Sequence, residues 1–444
     1  MTKPIWIKHA TQLATLAGEG KGPRSQEAMS ELGLIEDGSL WIENGIIQAV
    51  GTTNELEKRY AEKLHTADIV EASNHLVTPG LVDPHTHVVY GGSREREFEM
   101  RLEGATYMDI MNAGGGIHAT ARMTREAIEE ELLEQTMSRL DSFLAHGVTM
   151  VESKSGYGMN LETELKQLRV MKELQQKHAI DLIPTFMGAH AVPPEFKGKE
   201  DEFVDYLIDK MLPIVAEENL AEFNDVFCEK GVFTPEQSKR ILEAGKEYGL
   251  VPKIHADEIE PYGGAELAAK VGAISAEHLL KASDEGIHAM AKAGTIACLL
   301  PATALYLREE AAAGRKMIDA GVPVAISTDC IQVVTLKQAR RKGLINTIQE
   351  ALERLSAKVD LVYVTVDMDV LDISIAPGVP ASTPGGMTST ELFDSLLEIG
   401  KHPIVQHIDF VCLDPSKDSP VAETVKVGVY AWLQFITGYI LRSR

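Results

Sequence analysis

The sequence predicts an α/β chain dominated by a (β/α)₈ barrel, and three observations point there. Apolar strand-like runs alternate with amphipathic helical runs from about residue 81 to residue 329. Eight such strands can be counted, which is the number the barrel needs. Several of them end in histidines or carboxylates, and a (β/α)₈ barrel keeps its chemistry at the C-terminal ends of its strands. A doubly wound parallel sheet is the alternative architecture.

Ahead of the barrel, residues 1–78 contain short β-like runs at 5–7, 39–43 and 46–50, with Asn44-Gly45 joining the last two. Asn-Gly between apolar runs is a strong hairpin signal. This part is expected to form a small, partial β-sandwich. Residues 18–28, rich in Gly, Lys and Ser, read as an exposed loop.

The first barrel strand lies in Leu81-Val82-Asp83-Pro84-His85-Thr86-His87-Val88-Val89. On a strand, residues i and i+2 share a face, so both imidazoles point the same way and one metal can take both. For this pair alone, two incidental histidines are an equal alternative. Further strands are expected at 147–153, 180–188, 223–228, 251–256, 273–279, 295–301 and 322–328, with helices at 126–146, 161–178, 200–218 and 235–248. The third strand runs into His190, the fifth into His255-Ala256-Asp257-Glu258, the sixth into Glu277-His278 and the eighth into Asp329. A buried histidine held by a carbonyl is the commoner case for any one of them. Five equivalent strand ends carrying such residues are hard to attribute to chance.

Three neutral imidazoles and a carboxylate suit zinc or another divalent transition ion such as iron. Such an ion with an open position lowers the pKa of bound water towards about 7, which makes hydrolysis the natural chemistry. Asp329 could bind the ion and accept the proton of the attacking water, while Glu258 and His278 are placed to donate to a leaving nitrogen or polarise a carbonyl. Groups that orient the ligands are also required, and the sequence does not locate them.

With 444 residues the chain has room for two or three domains, or one large barrel with additions. A formal net charge of -23 argues against nucleic acid or an anionic membrane as partner. No apolar run approaches the roughly 20 residues that span a bilayer, and the N-terminal residues lack a signal-peptide core, so a cytoplasmic protein acting on a small molecule is expected. A homodimer is compatible with such a chain. Cys228, Cys298, Cys330 and Cys412 are scattered, suggesting neither a disulfide framework nor a thiolate zinc site.

Residues 1–329 resemble the imidazolonepropionase family of the amidohydrolase superfamily. The resemblance rests on residues 79–87, on Gly91-Gly92-Ser93-Arg94-Glu95 and Gly114-Gly115-Gly116-Ile117, and on residues 152–158, 186–193 and 253–258. That family opens the ring of 4-imidazolone-5-propanoate to N-formimidoyl-L-glutamate in histidine degradation. The resemblance implies His85, His87, His255 and Asp329 as metal ligands, Glu258 and His278 as acid/base groups, and Arg94, Tyr157, His190 and Glu258 as substrate contacts. Alone, Arg94 reads as a solvated loop arginine; a guanidinium fork does match a propanoate carboxylate.

After Asp329 the family's Asn-Pro-Gly loop is missing, and residues from about 331 to 439 resemble the arginase/ureohydrolase family, closest to formimidoylglutamase. Val366-Asp367-Met368-Asp369, Ala376-Pro377-Gly378 and Pro384-Gly385-Gly386 carry that likeness. The Gly-Gly-Asp-His and Asp-Ala-His-x-Asp segments that supply most ligands there do not occur in this sequence. Asp367 and Asp369 are therefore expected to be relict ligands, with no manganese held at them. Domains are expected at 1–78, 79–329 and 330–444. A helix over 336–355 is expected to stand in for the last outer helix, followed by strands at 362–366 and 406–410 and a helix over 422–441. The expected function is metal-dependent opening of the imidazolone ring, impaired by the missing loop. The alternatives are a formimidoylglutamase-type ureohydrolase, or a dead fusion that only binds metal.

Overall fold

The computed structural model describes residues 3–18, 22–92, 115–307, 309–329, 340, 343–356, 361–379, 386–414, 416, 418–420 and 422–442. The chain divides into two compact units, Met1–Ile331 and Gln332–Arg444.

The first unit begins with a five-stranded sheet of β1 (Ile5–Ala14), β2 (Leu34–Glu43), β3 (Ile46–Thr52), β4 (Asp68–Glu71) and β5 (Leu76–Val77). β2 and β3 pair antiparallel across Asn44-Gly45, both at positive φ (53° and 77°). That is the conformation a two-residue hairpin turn requires. Trp41 is fully buried and stacks on Tyr60 with ring centroids 4.4 Å apart. Tyr60 follows a short helix, Thr53–Arg59, that the sequence reading passed over although Thr52 and Glu55 form a capping box. The predicted loop at 18–28, of which residues 19–21 lie outside the described ones, needs correction at its end, where Gln26–Ser30 winds into a 3₁₀ turn. The sheet leaves Ile46, Ile47, Val50, Ile69, Val70 and Leu76 exposed.

The barrel follows as β6 (Leu81–Thr86), β7 (Val148–Lys154), β8 (Asp181–Ala189), β9 (Phe223–Cys228), β10 (Val251–Ala256), β11 (Ser275–His278), β12 (Ile296–Leu299) and β13 (Val324–Ile326). All are parallel and paired in sequence order. A doubly wound sheet would reverse its strand order once, so this topology excludes it. The circle closes between β13 and β6 mainly through side chains, with no strand ladder there among the described residues. Thr328 Oγ1 donates to Asp83 Oδ2 at 2.6 Å, the Ser327 hydroxyl bonds both Asp83 and the His85 carbonyl, and Asp329 N donates to His85 O at 3.2 Å. Asp83→Ala takes the side-chain acceptor from Thr328 Oγ1 and one of two acceptors from Ser327, and is expected to cost about 1–3 kcal/mol, measurable as a lower urea midpoint.

The outer helices pack a continuous apolar layer on the barrel, including Leu140, Leu168, Met171, Phe203, Leu212, Ile241 and Met290. Their starts follow the sequence: Asn160 caps Leu161–Lys177, Thr234 and Gln237 form a capping box on Pro235–Glu247, and Ser283 caps Asp284–Ala293. Two predicted helices differ in detail. The run predicted at 126–146 breaks at Ala127–Ile128, separating Ile117–Glu126 from Glu129–Ala145. The run predicted at 200–218 widens into a π-helical turn at Leu207–Met211, just ahead of Pro213. Proline has no N–H to give, and its ring clashes with the carbonyl four residues back, which a wider turn relieves. The predicted strand 295–301 is shorter, because Pro301 opens the helix Pro301–Leu307.

The second unit holds β14 (Val362–Asp367) parallel to β15 (Val405–Val411), with helices Leu344–Ser356, Ser389–Lys401 and Glu423–Leu441. Of the helix predicted over 336–355, the described part is Leu344–Ser356, with residues 336–339, 341 and 342 outside the described ones. Ser389–Lys401 and Glu423–Leu441 approach closely at glycines; a Cβ on Gly438 would lie 2.3 Å from the Leu397 carbonyl oxygen. Val366, Leu392, Leu396, Val405, Ala431 and Phe435 form the core. The last helix also exposes Tyr430, Trp432, Leu433 and Ile440. That is more apolar surface than an ordinary exposed helix presents.

Candidate metal and active site

The strand alternation that buries one face of β6 delivers His85, and His87 follows immediately beyond its end. β10 delivers His255. One ligand atom from each of these three histidines lies within 4.8 Å of the others. Asp329 Oδ1 lies 3.5 Å from His85 Nε2 and 3.9 Å from His87 Nε2. All three imidazoles are buried, and His85 Nε2 and His255 Nε2 have no hydrogen-bond partner. Buried polar atoms left open in this way cost free energy unless something meets them. Two unpaired ring nitrogens beside a carboxylate are the donor set a divalent ion needs, so these residues fit one.

His278 and Glu258 sit together above β11 and β10, with His278 Nδ1 3.5 Å from Glu258 Oε1. The His190 ring lies parallel to that of His87 at 4.8 Å, and the Tyr157 ring is 5.3 Å from each of them. Of the sequence-predicted barrel residues, Arg94 alone lies outside the described residues. His278 and Asp329 both adopt positive φ, 66° and 59°, as does Asp257 at 49° beside Glu258. The left-handed region is disfavoured for such residues and is held here by the surrounding contacts.

The electrostatics separate these groups. Burial, and then the neighbouring histidines, hold His87 and His255 neutral, and burial lowers His190 to about 3 and His278 to about 4. Burial and Lys154 push His85 the same way, but Asp329 and Glu277 outweigh them and raise it to about 9. Burial opposes the Asp329 carboxylate, yet the charge of His85, 3.5 Å away, keeps it well below the usual range. Glu258 goes the other way: burial, then the Asp329 charge, lifts it to about 8. One carboxylate stays ionised while the other holds its proton at neutral pH, which is the split that defines a base and an acid.

The sequence reading missed the layer beneath. Glu277 Oε2 accepts from His85 Nδ1 at 2.6 Å, and Asp225 lies 3.2 Å from His255 Nδ1. Lys154 bridges Glu152 and Asp225 at 2.8 Å each, and Lys253 reaches Glu277 at 3.2 Å. A usable signal was present: Glu152 with Lys154, Asp225, Lys253 and Glu277 interrupt strands that should be apolar on both faces. A carboxylate on one ring nitrogen fixes the tautomer and offers the other nitrogen to a metal. Glu277→Gln is expected to weaken metal binding about 10- to 100-fold, read by competition with a chelator.

In the second unit Asp367 and Asp369 are joined by Cys412, their ligand atoms lying within 4.8 Å. The register of β14 with β15 pairs Asp367 with Val411 and so brings up Cys412, which the sequence alone shows only as one of four scattered cysteines. Burial and the Asp367 charge raise the Asp369 pKa, as expected for carboxylates with too few cations between them.

A (β/α)₈ barrel with three inward histidines and a carboxylate at its C-terminal rim defines a hydrolase of the amidohydrolase class. The imidazolonepropionase of Brevibacillus brevis (strain 47 / JCM 6285 / NBRC 100599) is 64% identical over 330 residues, covering 74% of this chain and 78% of that protein. The imidazolonepropionase of Geobacillus kaustophilus (strain HTA426) is 62% identical over 328 residues, covering 74% and 77%. The chain belongs to the imidazolonepropionase family. A family model described as "Arginase family" matches residues 311–437. Among solved structures, an atrazine chlorohydrolase from Arthrobacter aurescens TC1 complexed with zinc covers 73% of this chain and 71% of its own at a TM-score of 0.52. At 17% identity it speaks for the fold alone.

Proposed function

We propose that this chain hydrolyses 4-imidazolone-5-propanoate to N-formimidoyl-L-glutamate, using one divalent ion, zinc or iron, held by His85, His87, His255 and Asp329. The observation that carries the reading is the convergence of those four side chains on a rim whose neighbouring sequence is 64% identical to an imidazolonepropionase. Bound there, the ion polarises the ring carbonyl and makes water acidic enough to lose a proton near neutral pH.

The chain's own residues do the rest. Asp329, ionised, accepts a proton from the attacking water. Water adds to the ring carbonyl carbon and the bond from that carbon to the ring nitrogen breaks. Glu258, protonated at neutral pH, gives that nitrogen its proton, and neutral His278 beside it hydrogen-bonds the reacting carbonyl or relays the proton. His190 and Tyr157 form the aromatic wall against which a flat five-membered ring packs. Arg94 is assigned to the propanoate carboxylate, a pairing that guanidinium geometry favours.

The domain assignment we adopt is 1–78, 79–329 and 330–444, the last being a ureohydrolase fragment whose Asp367 and Asp369 have lost their partners. The two parent families act on consecutive compounds, and an in-frame join of neighbouring genes accounts for the seam after Asp329. Two intact genes at that position in independent genomic DNA would contradict it. The loop after Asp329 departs from the family and favours reduced turnover. The test is loss of imidazolonepropanoate absorbance with metal content measured on the same sample. Turnover with about one ion per chain supports the proposal; one ion per chain without turnover identifies a protein that only binds metal.

A further inference from the structure

Below the aromatic wall, two buried side chains of one helix hold an entire loop by its backbone. Glu164 and Gln167 lie on Leu161–Lys177 and neither has measurable solvent exposure. Glu164 Oε2 accepts from Gly156 N at 2.9 Å, and its Oε1 accepts from Gly158 N and Met159 N at 2.7 Å each. Gln167 Oε1 accepts from Tyr157 N at 3.2 Å. Four consecutive backbone N–H groups, 156 to 159, therefore end on two side chains, and none enters a strand ladder.

Gln167 does something more. Its Nε2 donates to the Val89 carbonyl at 2.6 Å, in the segment that leaves His87. One amide thus ties the Tyr157 loop to the chain carrying a predicted metal ligand. Arg139 holds the same segment from another side, donating to Val88 O at 2.8 Å and Tyr90 O at 2.9 Å with its guanidinium 3.6 Å from the Tyr90 ring.

The loop is not one that would set itself. Gly156 has φ +106° and Met159 φ +53°, and a Cβ on Gly156 would lie 2.9 Å from His190 Nδ1. Backbone held this way returns to commoner conformations once its anchors go. A fully buried carboxylate is also costly, and burial raises the Glu164 pKa while backbone N–H groups pull it back. Apolar residues could have filled the space behind a loop whose only duty was packing.

We propose that Glu164 and Gln167 are positioning residues that set the Tyr157 ring against His87 and His190, and so set the affinity for the substrate's ring. This rests on the function proposed above, in which Tyr157 contacts substrate. Gln167→Met removes both hydrogen bonds at nearly constant volume, and Glu164→Gln keeps the shape but replaces one acceptor by a donor facing Gly156 N–H. The conservative Gln167→Glu retains the acceptor for Tyr157 N alone.

The test uses the metal-loaded full chain, with KM and kcat for imidazolonepropanoate, and the Kd of imidazole-4-propanoate, which has the ring and acid but no amide to cleave. Hydrogen exchange over 156–159 and metal content are measured on the same preparations. Expected for Gln167→Met and Glu164→Gln are faster exchange confined to the loop, unchanged metal content, and Kd and KM raised about 10-fold or more with kcat changed under threefold. Gln167→Glu is expected to fall between parent and Gln167→Met. Unchanged Kd, or loss of metal and kcat in step with KM, overturns the positioning role. A parent that binds the analogue without turnover overturns the function alone, the positioning role then being judged on Kd. A parent that does neither overturns both.

Discussion

Glu258→Gln is expected to lower kcat by about 10²- to 10⁴-fold, the range for removing a positioned general acid. Metal content should not move, because Glu258 is not among the four assigned ligands. The sign of the pH dependence follows from the same residue. Burial, then the Asp329 charge, raises Glu258 to about 8, so the group is protonated and competent below that pH and loses its proton above it. The parent's kcat/KM should therefore fall as pH rises through about 8. In Glu258→Gln this alkaline limb should be missing from whatever activity remains. A bound cation next to Asp329 weakens the repulsion that raises Glu258, so the limb lies at or below that value in the loaded enzyme. A variant with parental kcat, or one that keeps the limb, assigns the acid elsewhere.

The second large effect is expected from His255→Ala. It takes away a ligand outright, so metal affinity and turnover should both fall by more than the roughly 10- to 100-fold typical of losing a supporting contact. The fold should survive. Asp225, left without the imidazole, keeps Lys154 at 2.8 Å, and the remaining cost is that of a weakened buried hydrogen bond, about 1–3 kcal/mol. A thermal scan with and without metal separates the two parts. The parent should gain a stabilisation on adding metal that His255→Ala lacks, since only the parent binds the ion tightly. Equal metal-dependent shifts would mean that His255 is a core histidine and nothing more.

The barrel was legible because its signals are local and repeated. Strand, loop and helix alternate, five of the eight strand ends carry a ligand-type residue, and the His85–His87 spacing needs only the two-residue period of a strand to be read. The supporting layer shows in the sequence only as charges interrupting apolar strands, and its pairings are not legible there, because they lie in register across strands. Lys253 pairs with Ser275, and His255 with Glu277, only once β10 and β11 are aligned. The charge of Lys154 is understood only when Asp225 arrives from a strand 71 positions later. The clamp of Glu164 and Gln167 was hidden for the opposite reason. On a helix their spacing of three looks like an ordinary polar pair, and nothing in the sequence marks them as facing inward towards a loop. In the second unit, the Asp-x-Asp pair was visible after an apolar strand, while Cys412 needed the β14–β15 register to reach it.

The chain's departure from its relatives after Asp329 gives the account its sharpest point of exposure. All four proposed ligands precede the proposed seam, so the metal site should form whether or not the second unit contributes anything. The measurement that tests this directly is the metal content of the zinc-loaded, gel-filtered full chain beside Asp329→Ala. About one ion per parent chain is expected, and far less than one in the variant. A parent that retains no ion, or a variant that retains as much as its parent, would show that His85, His87, His255 and Asp329 do not share a metal.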